Sequence, residues 1–233
     1  MQGLAGKAIL VTGSSTGIGH AMARRLLAEG ARVLVHGRDE NEVKAACSKL
    51  GSGCHGVAGD LAEPATAQAL VDATCKAFGR IDGLVNNAGI YPRGVIGEST
   101  AAFFDHVFAI NTRAPLLCAE AAIRAFRLQK SGGAIVTVGS INALCGQSDL
   151  TVYSMSKGAL TTMTRNLADA LGSERIRVNQ LNVGWTFTAN EDATQQRHGR
   201  KPGWEKDVSA LFAPTGRLMQ PDEIAAHTAF WLS

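Results

Sequence analysis

The chain has 233 residues, of which 45% are hydrophobic and 18% are charged. This composition excludes a disordered chain, and the length suits one large α/β domain that builds its own core. The net charge of +3 is too small to indicate a nucleic-acid partner, and no apolar stretch is long enough to predict a membrane span.

The cysteines and the amino terminus bear on the cellular compartment. The chain holds five cysteines, and no two of them stand at Cys-x-x-Cys spacing. We therefore expect neither a metal site nor a redox-active pair of cysteines. Because the amino terminus also lacks a signal-peptide pattern, the sequence predicts a protein of the reducing cytoplasm.

Short apolar runs alternate with longer helical patterns along the whole chain. The apolar runs predict strands over residues 8–13, 31–36, 55–60, 83–86, 134–139 and 176–181. The helical patterns cover residues 18–29, 40–50, 64–78, 100–129, 151–171 and 221–231. We expect the longest pattern to break near Asn111 and Pro115. Apolar strands that alternate with helices predict a Rossmann-type, doubly wound parallel sheet with three layers, in one domain spanning residues 1–233.

One segment, residues 186–213, departs from this alternation. It holds no convincing strand, shows little apolar periodicity, and carries four acidic and four basic residues. A loop of this length inside a compact domain is often a lid, and we expect this one to cover the substrate.

A glycine-rich turn joins the first predicted strand to the first predicted helix. Its glycines, spaced Gly-x-x-x-Gly-x-Gly, would let a pyrophosphate approach the backbone amides and the positive end of the helix. The residues predicted to contact a nucleotide cofactor here are Gly13, Ser14, Ser15, Thr16, Gly17, Ile18 and Gly19.

The end of the second predicted strand bears on which dinucleotide is bound. An acid at this point would hold the ribose 2′-hydroxyl of NAD, but the sequence has Gly37 followed by Arg38. A guanidinium without a neighbouring acid suits the 2′-phosphate of NADP. Asp39 stands one residue further on and would serve NAD instead. We therefore predict NADP(H), with NAD(H) as the alternative.

Tyr153 and Lys157 stand four residues apart on a predicted helix, and hence on one face. An ammonium about 4 Å from a phenol contributes about 4 kcal/mol at an effective dielectric constant of about 20. This equals roughly three pKa units, so we expect Lys157 to bring the pKa of Tyr153 close to neutrality.

Together with the glycine turn, Asn86-Asn87-Ala88-Gly89, Asn111, Ser140 and Tyr153-x-x-x-Lys157, the sequence over residues 5–233 resembles the short-chain dehydrogenase/reductase family. The resemblance implies a small-molecule carbonyl or alcohol substrate and assembly as a homodimer or homotetramer. The catalytic residues that it implies are Asn111, Ser140, Tyr153 and Lys157.

The resemblance also implies further cofactor contacts. Asp60 and Leu61 match the pair beside adenine, and Tyr153 and Lys157 also contribute to the cofactor site. The remaining implied contacts are Asn87, Ala88, Gly89, Thr186 and Thr188.

The sequence departs from the family at three points. Val183-Gly184 stands where Pro-Gly is usual, and Thr16 stands where many NADP users have a basic residue. The family normally continues with a seventh strand, which the 233 residues do not include. We therefore expect a sheet of six strands.

The residues and the resemblance together predict hydride transfer between NADP(H) and a ketone or secondary alcohol. In this mechanism Tyr153 donates or accepts the proton, Ser140 holds the carbonyl oxygen, and Asn111 holds a water that relays protons to Lys157. The alternatives are an NAD-dependent dehydrogenase of the same family and a catalytically silent NADP(H)-binding sensor.

Overall fold

A computed structural model describes residues 3–233 of the chain. Six parallel strands form one sheet in the order β3-β2-β1-β4-β5-β6. The strands are β1 (Ala8–Val11), β2 (Arg32–Gly37), β3 (Cys54–Ala58), β4 (Gly83–Asn86), β5 (Gly133–Ser140) and β6 (Ile176–Val183).

Helices cover both faces of the sheet. They are α1 (Gly17–Ala28), α2 (Glu40–Leu50), α3 (Pro64–Phe78), α4 (Ala101–Phe108), α5 (Ala114–Gln129), α6 (Thr151–Leu171), α7 (Ala189–Arg197) and α8 (Pro221–Leu232). Successive strand residues point to opposite faces, so Ile9 and Val11 join the apolar cluster under α1 and α8. Leu10, between them, joins the cluster under α3 and α5. The predicted three-layer, doubly wound sheet is confirmed.

The predicted break in the longest helical pattern is also found. Residues Ala109–Arg113 form a turn of π-helix between α4 and α5, and Asn111 is buried within it. Pro115 lies in the first turn of α5, where the missing N–H costs little. Two strands are shorter than predicted at their carboxyl ends, because the chain turns after Val11 and after Ala58.

An irregular loop was expected over residues 186–213, but this segment contains regular secondary structure. It contains α7 and a short 3₁₀ turn, Trp204–Lys206. The hydroxyl of Thr188 accepts a hydrogen bond from the Glu191 amide and so caps α7. The Thr-x-x-Glu spacing was a signal for this helix that apolar periodicity missed, because most of α7 is polar.

Two further observations concern the outside of the fold. Within residues 3–233, no strand pairs with the outer edge of β6, which is hydrogen-bonded to β5 alone. None of the described helices combines the length and the apolar character needed to cross a membrane.

Phe126 provides a test of the packing between α5 and the sheet. Its side chain is 1% exposed, and a Cβ on Gly133 of β5 would lie 2.5 Å from its ring. We expect Phe126→Ala to lower the free energy of unfolding by about 3–5 kcal/mol, because the neighbours cannot fill the space of a ring. Urea denaturation measures this loss.

Leu128 gives a matched control on the same helix, because its side chain is 84% exposed. We expect Leu128→Ala to change the free energy of unfolding by less than about 0.5 kcal/mol. Equal losses in the two variants would contradict the packing described here.

Candidate active site

The polar segments singled out in the sequence meet at the carboxyl edge of the sheet. They follow the ends of β1, β2, β4, β5 and β6. The sheet order reverses at β1, whose neighbours are β2 and β4, and connections from such a point leave a crevice above the strands. The candidate site lies in this crevice.

The glycine turn is packed so closely that side chains are excluded at two positions. A Cβ on Gly13, whose φ is +61°, would lie 2.8 Å from Ala88 Cα. A Cβ on Gly19 would lie 2.3 Å from the Gly13 carbonyl oxygen and 2.5 Å from Asn87 Nδ2. The turn and the segment after β4 are therefore one packed unit.

Thr12 and Asn87 hold this unit together by hydrogen bonds. Asn87 Nδ2 donates to the carbonyl oxygens of Thr12 and Gly13, each at 2.9 Å. The Thr12 hydroxyl oxygen accepts from the amides of Asn87 and Ala88, at 3.0 and 3.1 Å. The side chain of Asn87 therefore orders the backbone of the turn.

His36, which the sequence analysis did not single out, holds the other side of the turn. Its Nδ1 accepts from the Gly13 amide at 3.1 Å, and its Nε2 lies 3.0 Å from the Gly59 carbonyl oxygen. This pattern requires the neutral ring with its proton on Nε2. Burial lowers the pKa of His36, which favours the same neutral form, although the bond to Gly59 and the charge of Asp60 oppose the shift. A buried histidine at the end of an apolar strand was the available signal.

Ser14 serves the fold. It is fully buried, its hydroxyl donates to the Val11 carbonyl at 2.6 Å, and its oxygen accepts from the His36 amide at 3.0 Å. Its side chain is thus engaged by the backbone of β1 and β2. Thr16 and Gly17, by contrast, are exposed, and Ser15 and Ile18 are partly exposed.

These residues fit a dinucleotide phosphate. α1 begins at Gly17, and the first amides of a helix lack partners within the helix and carry partial positive charge. The close packing of Gly13 and Gly19 leaves bare backbone in front of that helix end. The turn therefore has the donors and the access that a pyrophosphate requires.

The end of β2 carries the residues on which the predicted choice between the two cofactors depends. A Cβ on Gly37 would lie 2.6 Å from Ser15 Oγ, so Ser15 occupies the space in which an acid at position 37 would begin. Arg38 is exposed beside it. The Asp39 carboxylate caps α2 by accepting from the Glu42 amide at 2.9 Å. Asp39 is therefore already engaged by a helix end.

Of the two residues that the resemblance places beside adenine, one is exposed and the other is buried. Asp60 is exposed, and its carboxylate accepts from the Ala62 amide at 2.8 Å. Leu61 is 6% exposed, and its side chain packs into the apolar cluster under α3 and α5. Only Asp60 presents its side chain to the crevice edge.

The predicted catalytic residues lie together above β5. Ser140 ends this strand, and Tyr153 and Lys157 stand one turn apart on α6. Lys157 is 5% exposed, and its ammonium donates to the Val138 carbonyl at 2.8 Å. Its Nζ lies 5.8 Å from the centre of the Tyr153 ring. Burial lowers the pKa of Lys157 to about 8.

The expected lowering of the Tyr153 pKa by Lys157 is not found. Burial raises the pKa of Tyr153, a hydrogen bond with the Ser140 side chain lowers it in part, and the charge of Glu191 raises it further. The sequence argument counted only the ammonium. It omitted the loss of water around the phenol, which disfavours the charged form.

Asn111 links the site to the loop after β4. Its Nδ2 donates to the Ile90 carbonyl at 2.8 Å and to Ser156 Oγ at 3.1 Å, and its Oδ1 accepts from the Ile90 amide at 2.8 Å. A Cβ on Gly89 would lie 3.4 Å from Asn111 Oδ1 and 3.6 Å from Lys157 Nζ. Asn111 and Lys157 therefore both lie beside Gly89.

The two predicted threonines lie between β6 and α7. Thr186 is buried, and its hydroxyl donates to the Gly184 carbonyl at 3.0 Å. Thr188 caps α7, and its methyl carbon would lie 3.8 Å from a Cβ on Gly17. Thr188 therefore reaches the glycine turn, whereas the Thr186 hydroxyl is engaged by the backbone.

Glu191 on α7 is a residue of the site that sequence reasoning missed, because it was counted only among the charges of the segment. Its Oε1 accepts from Trp185 Nε1 at 2.8 Å and from Gln195 Nε2 at 2.7 Å. Nearby, Asn190 Nδ2 donates to the hydroxyl of Tyr91 at 2.9 Å, so α7 touches the loop after β4. The start of α7 thus contacts the loop after β4, and the charge of Glu191 acts on Tyr153.

The sequence of this chain is similar to those of known dehydrogenases. A sequence profile of the family described as short chain dehydrogenase matches residues 7–199. L-fucose dehydrogenase of Mus musculus is 35% identical over 98% of this chain and 82% of its own length. L-rhamnose 1-dehydrogenase (NAD(P)(+)) of a Sphingomonas species is 32% identical over 100% of this chain and 91% of its own length.

A solved structure shows the same fold. The 3-ketoacyl-(acyl-carrier-protein) reductase from Brucella melitensis, complexed with NADH, superposes with a TM-score of 0.86 at 29% identity. The superposition covers 99% of this chain and 92% of that one. With the family profile over most of the chain and relatives along its full length, the chain belongs to the short-chain dehydrogenase/reductase family of oxidoreductases.

Proposed function

We propose that the protein transfers a hydride between NADP(H) and a ketone or secondary alcohol, with Tyr153 as the proton donor or acceptor. One observation carries the proposal. The Tyr153 phenol, its Ser140 partner and the buried Lys157 ammonium lie at the same sheet edge as the glycine turn. A proton source and a cofactor cradle thus face one crevice.

The side chains would have the following roles in the reaction. Bound NADPH supplies the hydride. Tyr153 is held as a neutral phenol by burial, which suits donation of a proton to the carbonyl oxygen during reduction. Ser140, already a hydrogen-bond partner of the phenol, would hold that oxygen beside it. In the oxidative direction, Tyr153 would take the alcohol proton.

Lys157 and Asn111 would complete the path of the proton. The pKa of Lys157, at about 8, is low enough for the ammonium to exchange protons near neutral pH. Asn111 Oδ1 and Lys157 Nζ both lie beside Gly89. The side-chain oxygen and nitrogen of Asn111 both form hydrogen bonds with the backbone of Ile90. We propose that Asn111 positions this loop and a water beside Lys157.

The preference for NADP(H) rests on three neighbouring residues. Ser15 fills the space that an acid at position 37 would need, Arg38 is exposed, and Asp39 caps α2. A bidentate guanidinium can bind a 2′-phosphate, and no carboxylate stands at position 37 to repel it. NAD(H) remains the alternative, because the similar Brucella reductase was crystallised with NADH.

Two other predictions from the sequence stay predictions. These are assembly as a homodimer or homotetramer and residence in the cytoplasm. A catalytically silent sensor is the second candidate function, but the four predicted catalytic side chains are present and clustered, which favours the enzyme.

Tyr153→Phe tests the proton donor. We expect kcat to fall at least a hundredfold, because general acid catalysis typically contributes about 10²–10⁴ in rate. Binding of NADPH, measured by fluorescence titration, should change little. Arg165, an exposed residue of the same helix, gives a control, and Arg165→Ala should keep kcat within about tenfold of wild type. A Tyr153→Phe enzyme that is as active as this control would refute the assignment.

Arg38→Ala tests the choice of cofactor. A charged hydrogen bond contributes about 1.5–3 kcal/mol, so wild type should prefer NADPH roughly 10- to 150-fold in kcat/KM. We expect the lower half of this range, because Thr16 adds no second positive charge. The variant should lose most of the preference through weaker use of NADPH, with NADH nearly unchanged.

Two further variants sharpen this measurement. Arg24→Ala removes an exposed arginine that pairs with Asp222, and should leave the ratio unchanged. The double variant Ser15→Gly with Gly37→Asp frees the space at position 37 and adds the missing acid, and should favour NADH. A wild-type preference for NADH would instead assign the ribose to Asp39.

Hydrogen exchange tests whether residues 186–213 act as a lid. Two of its residues, Trp204 and Ala213, form a small apolar cluster with Leu218, which follows the segment. We expect its amides to exchange faster than those of the sheet, and to become protected when cofactor and substrate are both bound. Equal protection with and without the two ligands would show that the segment is a fixed wall.

A further inference from the structure

Glu191 carries a charge in an unusual setting. Its side chain is 8% exposed, and no salt bridge to it is recorded within residues 3–233. Trp185 and Gln195 donate hydrogen bonds to its Oε1, and the side chain of Tyr91 is a further hydrogen-bond partner. Carboxylates are almost never buried to this degree without an ionic partner, so the position needs a reason.

The carboxylate of Glu191 is not buried in order to cap its own helix. Glu191 is the third residue of α7, where a glutamate ordinarily accepts from the amide of the capping residue. α8 shows that arrangement, since Glu223 accepts from the Gln220 amide at 2.8 Å. In α7 the Thr188 hydroxyl accepts from the Glu191 amide, but the carboxylate turns to Trp185 instead.

The carboxylate lies between its own helix and the loop after β4, because Gln195 of α7 and Tyr91 of that loop are both hydrogen-bond partners. Burial raises the pKa of Tyr153 and that of Tyr91, and the charge of Glu191 raises both further. Tyr91 in turn accepts from Asn190 Nδ2, one residue before Glu191. Polar groups from α7 and from the loop after β4 therefore lie together, and Glu191 among them acts electrostatically on Tyr153.

We propose that Glu191, together with Tyr91 and Gln195, binds a second hydroxyl group of the substrate, so that the enzyme acts on neutral polyhydroxylated compounds such as sugars and alditols. This inference rests on the proposed function, since it places the substrate by its reacting carbon at Tyr153. A buried carboxylate accepts hydrogen bonds from hydroxyl groups more strongly than a neutral acceptor does.

The same chemistry disfavours other substrates. An anionic ketone would meet the like charge of Glu191, which forms no salt bridge within residues 3–233. An alkyl chain would exclude water from the carboxylate and offer it no donor. Arg200, which could attract an anion here, lies over the rings of Trp185 and Trp204, at 5.7 and 5.3 Å from their centres.

The test compares substrates across matched variants of the whole chain. E191Q keeps an oxygen that can accept from Trp185 but removes the charge, and Gln196→Ala changes an exposed residue of the same helix. For each protein, kcat/KM is measured for a panel of sugars and alditols from tetrose to hexose size. The same is done for cyclohexanol, which has a single hydroxyl, and for acetoacetate, an anionic ketone.

We expect wild type to favour members of the polyhydroxylated panel over cyclohexanol. In E191Q this ratio should fall by about tenfold or more, as expected for a lost hydrogen bond to a charged group, while cyclohexanol changes less than about threefold. Reduction of acetoacetate should improve, and Gln196→Ala should resemble wild type. An equal loss for every substrate would mean that Glu191 only supports Trp185, and would overturn the inference.

Failure of the inference and failure of the proposed function give different results. Turnover of cyclohexanol or acetoacetate without turnover of any polyhydroxylated compound would refute the role of Glu191 and leave the oxidoreductase intact. No turnover of any substrate with either cofactor, by a protein that binds NADPH and has a normal circular dichroism spectrum, would refute the proposed function.

Discussion

The hydrogen bonds between Thr12 and Asn87 are the constraint on which the site depends. They join the ends of β1 and β4, the two strands between which the chain changes direction across the sheet. Because this junction is tight, Gly13 and Gly19 have no room for side chains, and bare backbone faces the crevice. Each parallel strand then delivers its next segment to the same edge, so that residues far apart in sequence meet there.

Much of this arrangement could be predicted from sequence, because it depends on local patterns. Apolar runs and glycine spacing identify the strands and the turn, and four-residue spacing places Tyr153 and Lys157 on one face of a helix. Long-range packing could not be predicted in the same way. That Ser15 fills the space beside Gly37, or that Glu191 turns away from its own helix end, follows only from contacts made in three dimensions.

Burial also corrects the simple electrostatic argument for Tyr153. Removing water disfavours charge on either partner, so the pKa of the phenol rises while that of the Lys157 ammonium falls to about 8. Glu191 acts in the same direction on the phenol. The protein therefore keeps the proton on the tyrosine, which is the form that donates, and the sequence argument had counted only the pair of side chains and not their surroundings.

The hydrogen bond between His36 and Gly13 sets a lower limit to the pH at which the glycine turn keeps its structure. This limit does not depend on Tyr153 or Lys157. The pKa of His36 in the folded state lies below the ordinary value of 6.5, so the unfolded chain binds the extra proton first. The stability that His36 contributes is therefore present above about pH 6.5 and is lost as the pH falls through the folded-state pKa. A proton on Nδ1 would face the Gly13 amide hydrogen, donor against donor. Acid would thus loosen the contact between the glycine turn and β2, even while Tyr153 and Ser140 stay in place.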